Sequence, residues 1–119
     1  MSKKPIVQVE SHFDEARQAW IYTAKGKLIG SQLCYEFLEE ARERVQEGMP
    51  NVVIDLSGIT MLNSTGIGII AALYNVTKEQ DGKVWLVGTT EAARRPLAAT
   101  HVWEFLEQCD DLADLPESL

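Results

Sequence analysis

Two short, unbroken apolar runs, Val52-Val53-Ile54 and Val84-Trp85-Leu86-Val87, constrain this chain more than any other feature. Runs rich in β-branched residues fit strands covered on both faces, as in a parallel sheet. Longer segments with helical spacing lie around them. Leu33, Phe37, Leu38, Ala41 and Val45 recur at spacings of four, one, three and four, which makes one apolar stripe. Ser31 is placed to cap this helix, which runs to about Glu47 before Gly48 and Pro50 stop it. A second helix opens at Asn63-Ser64-Thr65-Gly66 and runs to about Glu79, ahead of an Asp81-Gly82 turn. Strands that alternate with helices argue for a mostly parallel sheet with helices packed on it.

The flanking segments extend the pattern. Pro5 to Val9 reads as an edge strand after a frayed start at residues 1–4, and the polar stretch Ser11 to Arg17 as a connecting turn. Ala19 to Leu28 alternates as a second strand, punctuated at its end by Gly26 and Gly30. After Val52-Val53-Ile54, the turn residues Asp55-Leu56-Ser57-Gly58 end the strand, and Ile59 to Leu62 form a short apolar loop. Thr90 caps a third helix that starts at Glu91 and kinks or restarts at Pro96, whose ring clashes with the carbonyl of Ala92. Trp103 to Cys109 reads as a last short strand and Asp111 to Leu119 as a terminal helix containing Pro116. The prediction is one α/β domain over residues 1–119, with a mostly parallel central sheet of four to five strands and about four helices.

Charge and composition exclude several function classes. The net charge of −7 repels phosphate backbones and anionic lipid headgroups, so neither direct nucleic-acid binding nor membrane insertion is expected. The longest apolar stretch, around Ile67 to Leu73, is too short to cross a bilayer. The charged start Met1-Ser2-Lys3-Lys4-Pro5 has no apolar run behind it, so no signal peptide is expected and a cytoplasmic location follows. Cys34 and Cys109 form no metal-like or redox-like spacing, and His12 and His101 stand far apart; neither metal nor cofactor is expected. Gly66-x-Gly68 lacks the third glycine of a dinucleotide fingerprint. Asp55, Ser57 and Ser64 have no neighbouring histidine or nucleophile-elbow motif, which argues against a hydrolase. Arg94-Arg95 reads as a solvated helix face, or as a grip for a partner's carboxylate or phosphate. Trp20, Trp85 and Trp103 read as core or core-edge residues.

One stretch carries more specific information. Val52 to Gly68 reads Val-Val-Ile-Asp-Leu-Ser-Gly-Ile-Thr-Met-Leu-Asn-Ser-Thr-Gly-Ile-Gly. It resembles the signature of the STAS family, which includes bacterial anti-sigma factor antagonists and the cytoplasmic tails of sulfate transporters. The family pattern is a buried strand, Asp-Leu-Ser, a short apolar loop, then Asp-Ser-Ser/Thr-Gly at a helix start. The resemblance implies a STAS-type fold and a binding module rather than an enzyme. In antagonists of the family, a kinase-type anti-sigma factor phosphorylates the serine after the acidic residue, the unmodified form binds that kinase, and a metal-dependent serine/threonine phosphatase resets the switch. Ser64 matches that serine, with Thr65 as second choice. Asn63 stands where many members have Asp, and Lys27 and Ile29 stand where Glu and Asp are frequent. These departures also fit a STAS scaffold that is never phosphorylated, a subunit of a sensory or membrane lipid-transport complex.

The residues make their own case. A helix N-terminus offers unpaired N–H groups and the positive end of its dipole to an anion. A phosphoserine there adds roughly two negative charges. Equally, Asn63 or Ser64 can serve as an ordinary helix cap. On the helical wheel Ile67, Ile70, Ala71 and Tyr74 lie opposite Ile69, Ala72, Leu73 and Val76, so the helix needs two covered sides. One is the sheet; the other is a neighbouring helix or a partner. The expected partner surface is Asn63, Ser64, Thr65, Gly66, Ile69, Leu73 and Val76, on a monomer or weak dimer.

Overall fold

The computed structural model describes residues 6–119. The expectation for residues 1–4, and the start of the first strand at Pro5, lie outside them. The elements run β1 (Val7–Asp14), β2 (Ala19–Leu28), α1 (Gln32–Gln46), β3 (Val52–Leu62), α2 (Ser64–Glu79), β4 (Val84–Val87), α3 (Glu91–Ala98), a 3-10 turn (His101–Phe105), β5 (Glu107–Cys109) and a second 3-10 turn (Leu112–Asp114). The five strands form one sheet in the order β1-β2-β3-β4-β5, with β1 antiparallel to β2 and the other pairs parallel. The single α/β domain and mostly parallel sheet follow the sequence expectation; for the about four helices expected, the described residues hold three α-helices and two 3-10 turns.

Each face of the sheet has its own cover. Tyr22, Ala24 and Leu28 of β2, Val52, Ile54 and Leu56 of β3, and Val84 and Leu86 of β4 pack under α1, α2 and α3 as one continuous core. On the reverse face Ala19, Ile21, Val53 and Val87 form a smaller cluster, closed by Leu115 with Leu112 and Leu119 against it. This double cover is why Val52-Val53-Ile54 is apolar without alternation.

Four boundaries differ from the sequence reading, each for a physical reason. β1 continues to Asp14 because Ser11, His12 and Phe13 pair with Tyr22, Ile21 and Trp20 of the long β2; polarity there reflects an exposed edge, not a turn. β3 does not end at Asp55-Leu56-Ser57-Gly58. The Asp55 carboxylate accepts the Ser57 N–H at 2.9 Å, the β2–β3 register shifts there, and pairing resumes at Gly58 and Ile59. α3 ends two residues past Pro96, and the chain resumes as the 3-10 turn, so Trp103 to Phe105 is not strand and β5 starts only at Glu107. The terminal helix is absent. Pro116 cannot donate to it, and Arg17 Nε and NH2 donate to the carbonyls of Pro116 (2.9 Å) and Leu115 (3.0 Å), which helical turns would otherwise use.

Candidate functional site

The site is built where β2 and β3 deliver their C-terminal ends to the first turns of α1 and α2. Asn63 is the N-cap of α2: its backbone is extended, and its Oδ1 accepts the N–H groups of Thr65 (3.0 Å) and Gly66 (3.1 Å). Its Nδ2 donates to the carbonyl of Ile29 at 3.2 Å, which ties the β2–α1 connection to the start of α2. One side chain therefore closes the helix and locks two loops together.

Two glycines make that junction tight. Gly66 is buried, and a Cβ on it would lie 2.2 Å from the Leu28 carbonyl oxygen, so the first turn of α2 rests directly on the end of β2. Gly30 has φ +100°, and a Cβ there would lie 2.8 Å from Thr65 Cγ2. Thr65 is thus packed against the α1 connection and half-buried. Ser64, one position earlier, is exposed, and among the described residues no hydrogen bond holds its hydroxyl.

The electrostatics are those of an N-terminus with limited spare capacity. α2 has no acidic residue in its first turn and Lys78 in its last, so its dipole is complemented at the C-terminal end. The sequence reading counted on unpaired N–H groups for an anion. Asn63 already occupies those of Thr65 and Gly66, and the Ile67 N–H donates to the Asn63 carbonyl at 2.9 Å. An anion at the start of α2 would therefore meet the helix dipole and the Ser64 amide rather than an open nest of donors.

The expected partner residues divide sharply. Ile69 (2% exposed) and Leu73 (0%) face the sheet as part of the main core, so they offer no surface to a partner; the opposite-face assignment from the helical wheel is corrected accordingly. Gly66 is buried, and Val76 is half-buried against the same core. The second covered side of α2 is internal, since α1 packs on one flank and α3 with the first 3-10 turn on another. Outward on α2 are Asn63, Ser64, Gly68 and Asn75, then Lys78 and Glu79 at its far end, with Ala72 partly exposed and Met61 (47% exposed) just before the helix. Nothing stands within 4 Å of the Cβ position of Gly68, so another backbone can approach closely there. From the sequence Gly68 fits close approach of a partner's backbone or packing on the sheet equally well, and its exposure favours the first, while Met61 reads only as a loop residue. The Ile29 carbonyl and Gly30 belong to the site through contacts that sequence spacing does not encode.

The other constellations do not assemble. The Asp55 carboxylate is engaged by the Ser57 N–H, and Arg94 is held by Glu91 through Nε (2.6 Å) and NH2 (2.8 Å). Among the described residues, no three His, Cys, Asp or Glu side chains are grouped as metal ligands, and no helix is long and apolar enough to cross a membrane.

The STAS domain profile matches residues 11–115, from the second half of β1 through β5, with all three α-helices and the α2 junction included. The chain belongs to the STAS domain family. No curated protein matches the sequence. Among solved structures, this STAS domain is similar to an anti-sigma factor antagonist from Mycobacterium paratuberculosis (TM-score 0.74, 23% identity, covering 91% of this chain and 89% of that one). It is similar also to an anti-sigma-factor antagonist STAS domain protein from Planctomyces limnophilus (TM-score 0.71, 18% identity, 89% and 92% covered). A third similar structure is the anti-sigma factor antagonist SpoIIAA in its unphosphorylated form (TM-score 0.71, 11% identity, 90% and 92% covered). At these identities the likeness is one of fold.

Proposed function

We propose that this STAS domain is an anti-sigma factor antagonist: a cytoplasmic binding protein, not an enzyme, that engages a kinase-type anti-sigma factor and is released when that kinase phosphorylates Ser64. The supporting observation is the division of labour at the start of α2. Asn63 supplies the cap, Thr65 packs against Gly30, and Ser64 is left with an exposed, unengaged hydroxyl on a rigid turn. The docking surface is the outward strip of α2, Ser64, Gly68, Ala72 and Asn75, with Met61 at its edge. Its small side chains suit a partner helix or loop laid close to the backbone, and two negative charges at one end would oppose that contact. A serine/threonine phosphatase then resets the switch, and the protein itself acts as a monomer or weak dimer.

The test is binding of the wild type, Ser64→Ala and Ser64→Asp to kinase-type anti-sigma factors of the same genome. The expected result is that alanine retains affinity and aspartate lowers it at least tenfold, with melting temperatures unchanged. Equal affinity for all three contradicts the switch. One observation supports a second reading, a constitutive STAS scaffold: Asn63 already occupies the Thr65 and Gly66 amides, which leaves a phosphate fewer donors. Stable co-purification with one partner, indifferent to both substitutions, is the outcome that reading predicts.

A further inference from the structure

Among the described residues, β1 is an edge strand with no partner on its outer side. The Lys27 N–H donates to the Ile6 carbonyl at 2.8 Å, which marks these two as a hydrogen-bonded pair in the antiparallel β1–β2 ladder. Such pairs alternate. Gln8, Glu10, His12 and Asp14 therefore turn their backbone groups to β2, while Val7, Val9, Ser11 and Phe13 turn theirs outward. Among the described residues nothing pairs with that outward row. Natural sheets usually blunt such an edge with lysine, proline or a bulge. β1, reading Val-Gln-Val-Glu-Ser-His-Phe-Asp and pairing without a register break, has none of these.

A cleft of about 90 Å3 runs beside the same edge, between β1 and α1. Its lining combines the buried rings of Tyr22 and Phe37, Val9, the exposed Leu33 (44% exposed), and a polar rim of Ser11, Glu36 and Glu40. The outward backbone groups belong to residues whose side chains lie on this helix-covered side, Val9 and Ser11 among them. A strand added to β1 thus lays alternate side chains along the mouth of the cleft. Its other side chains lie beside Glu10 on the reverse face, where Glu10 and His12 are exposed.

We propose that β1 and this cleft bind an extended segment of another protein by strand addition, one apolar side chain entering the cleft and lysine or arginine residues flanking it. Main-chain hydrogen bonds to Val9 and Ser11 hold the segment, and the cleft and the carboxylates select it. Charge decides the occupant. Glu40 is shared with Arg44 and the Ser11 hydroxyl, so Glu10 and Glu36 carry most of the charge: a second copy of this chain would set them against acidic residues of its own kind, on a protein already at −7, whereas a basic segment is attracted to both. The surface does not involve Ser64.

The probe is acetyl-Val-Lys-Lys-Leu-Val-Lys-Val-amide, which places lysines two residues either side of the leucine on the cleft face and one on the face of Glu10, titrated into 15N-labelled full-length protein. Shift changes are expected at Val7 to Phe13 and Leu33 to Glu40, with hydrogen exchange slowed at the Val9 and Ser11 amides. Affinity should fall at least tenfold in the double variant Glu36→Lys/Glu40→Lys and on exchanging every peptide lysine for glutamate. Ser11→Pro removes one outward donor while leaving the β1–β2 pairs intact, and should weaken binding similarly. Absence of shifts at 1 mM peptide, or binding indifferent to Glu36→Lys/Glu40→Lys, overturns the proposal. So does self-association of the free protein that Ser11→Pro abolishes, which would give the edge to a second copy.

Discussion

The two faces of the sheet are stabilised in different ways. The helix side holds a continuous core that runs from Val7 on β1 to Leu106 before β5, and the functional turn at Asn63 to Gly66 is seated on it. The reverse side holds Ala19, Ile21, Val53 and Val87 under a C-terminal strap whose only regular structure is one 3-10 turn. A single side chain, Arg17, grips the strap: it donates to the Leu115 and Pro116 carbonyls and is itself steadied by Asp14 at 2.8 Å. The difference is one of cover: the start of α2 sits on a continuous core, whereas the opposite face is closed by a segment with few buried apolar contacts, the kind of element expected to open locally first.

The largest effect should come from the helix side. Leu73→Ala, a fully buried position, is expected to cost about 2–5 kcal/mol in denaturant unfolding. Leu115→Ala should cost only about 1–2 kcal/mol, because loss is capped at the free energy of docking the strap rather than set by a trapped cavity. Equal costs would mean that the two faces are one cooperative unit. Arg17→Ala should shift global stability by about 1 kcal/mol at most, yet speed alkylation of Cys109 at least fivefold. Cys109 packs against the reverse cluster, and burial, reinforced by the carboxylates of Asp114, Asp110 and Asp111 and opposed by Arg17, holds its thiol above the ordinary range, so faster alkylation of the variant would report exposure and not a more acidic thiol. Fully buried Cys34, on the helix side, serves as the internal reference and should not change.

The smallest effect is one of acid. The Arg17 guanidinium beside Asp14 holds its carboxyl below the ordinary aspartate range, with burial opposing. A carboxyl whose folded pKa is depressed contributes stability above its unfolded value of about 3.9, and that contribution is lost as pH falls through the folded value. Methyl resonances of Leu112 and Leu115 should therefore broaden or shift below about pH 4, ahead of those of Leu73. Asp14→Asn should remove that pH dependence. Simultaneous loss at all three leucines would erase the distinction between the faces.

How much of this was legible in the sequence follows the same division. The bounds of β2, α2 and β4 could be read closely because periodicity and capping residues act locally: Asn63 accepts from its own helix, and Thr90 accepts the Ala93 N–H while donating to Ile59 across the fold. The extensions of β1 and β3 could not, because they depend on the length of β2 as a pairing partner. Nor could the strap, whose geometry rests on Arg17 reaching across 98 and 99 residues of sequence. At the site, the STAS motif pointed to Ser64 with Thr65 beside it, but the difference in their surroundings, an exposed Ser64 and a Thr65 methyl packed against Gly30, was not legible because Gly30 is distant in sequence. The covering of α2 could not be read from the wheel because both of its apolar faces are covered from within the domain, Ile69, Ile70 and Leu73 being buried and Ile67, Ala71, Tyr74 and Val76 packed against the same core.

The central claim is that Ser64 is a modified hydroxyl on a rigid helix start. Its most direct test is intact-mass measurement with site mapping on protein purified from its native cells, before and after phosphatase treatment. The account predicts a single phosphate on Ser64 that phosphatase removes, with Thr65 unmodified. An unmodified Ser64 under every growth condition would contradict it and leave the constitutive scaffold.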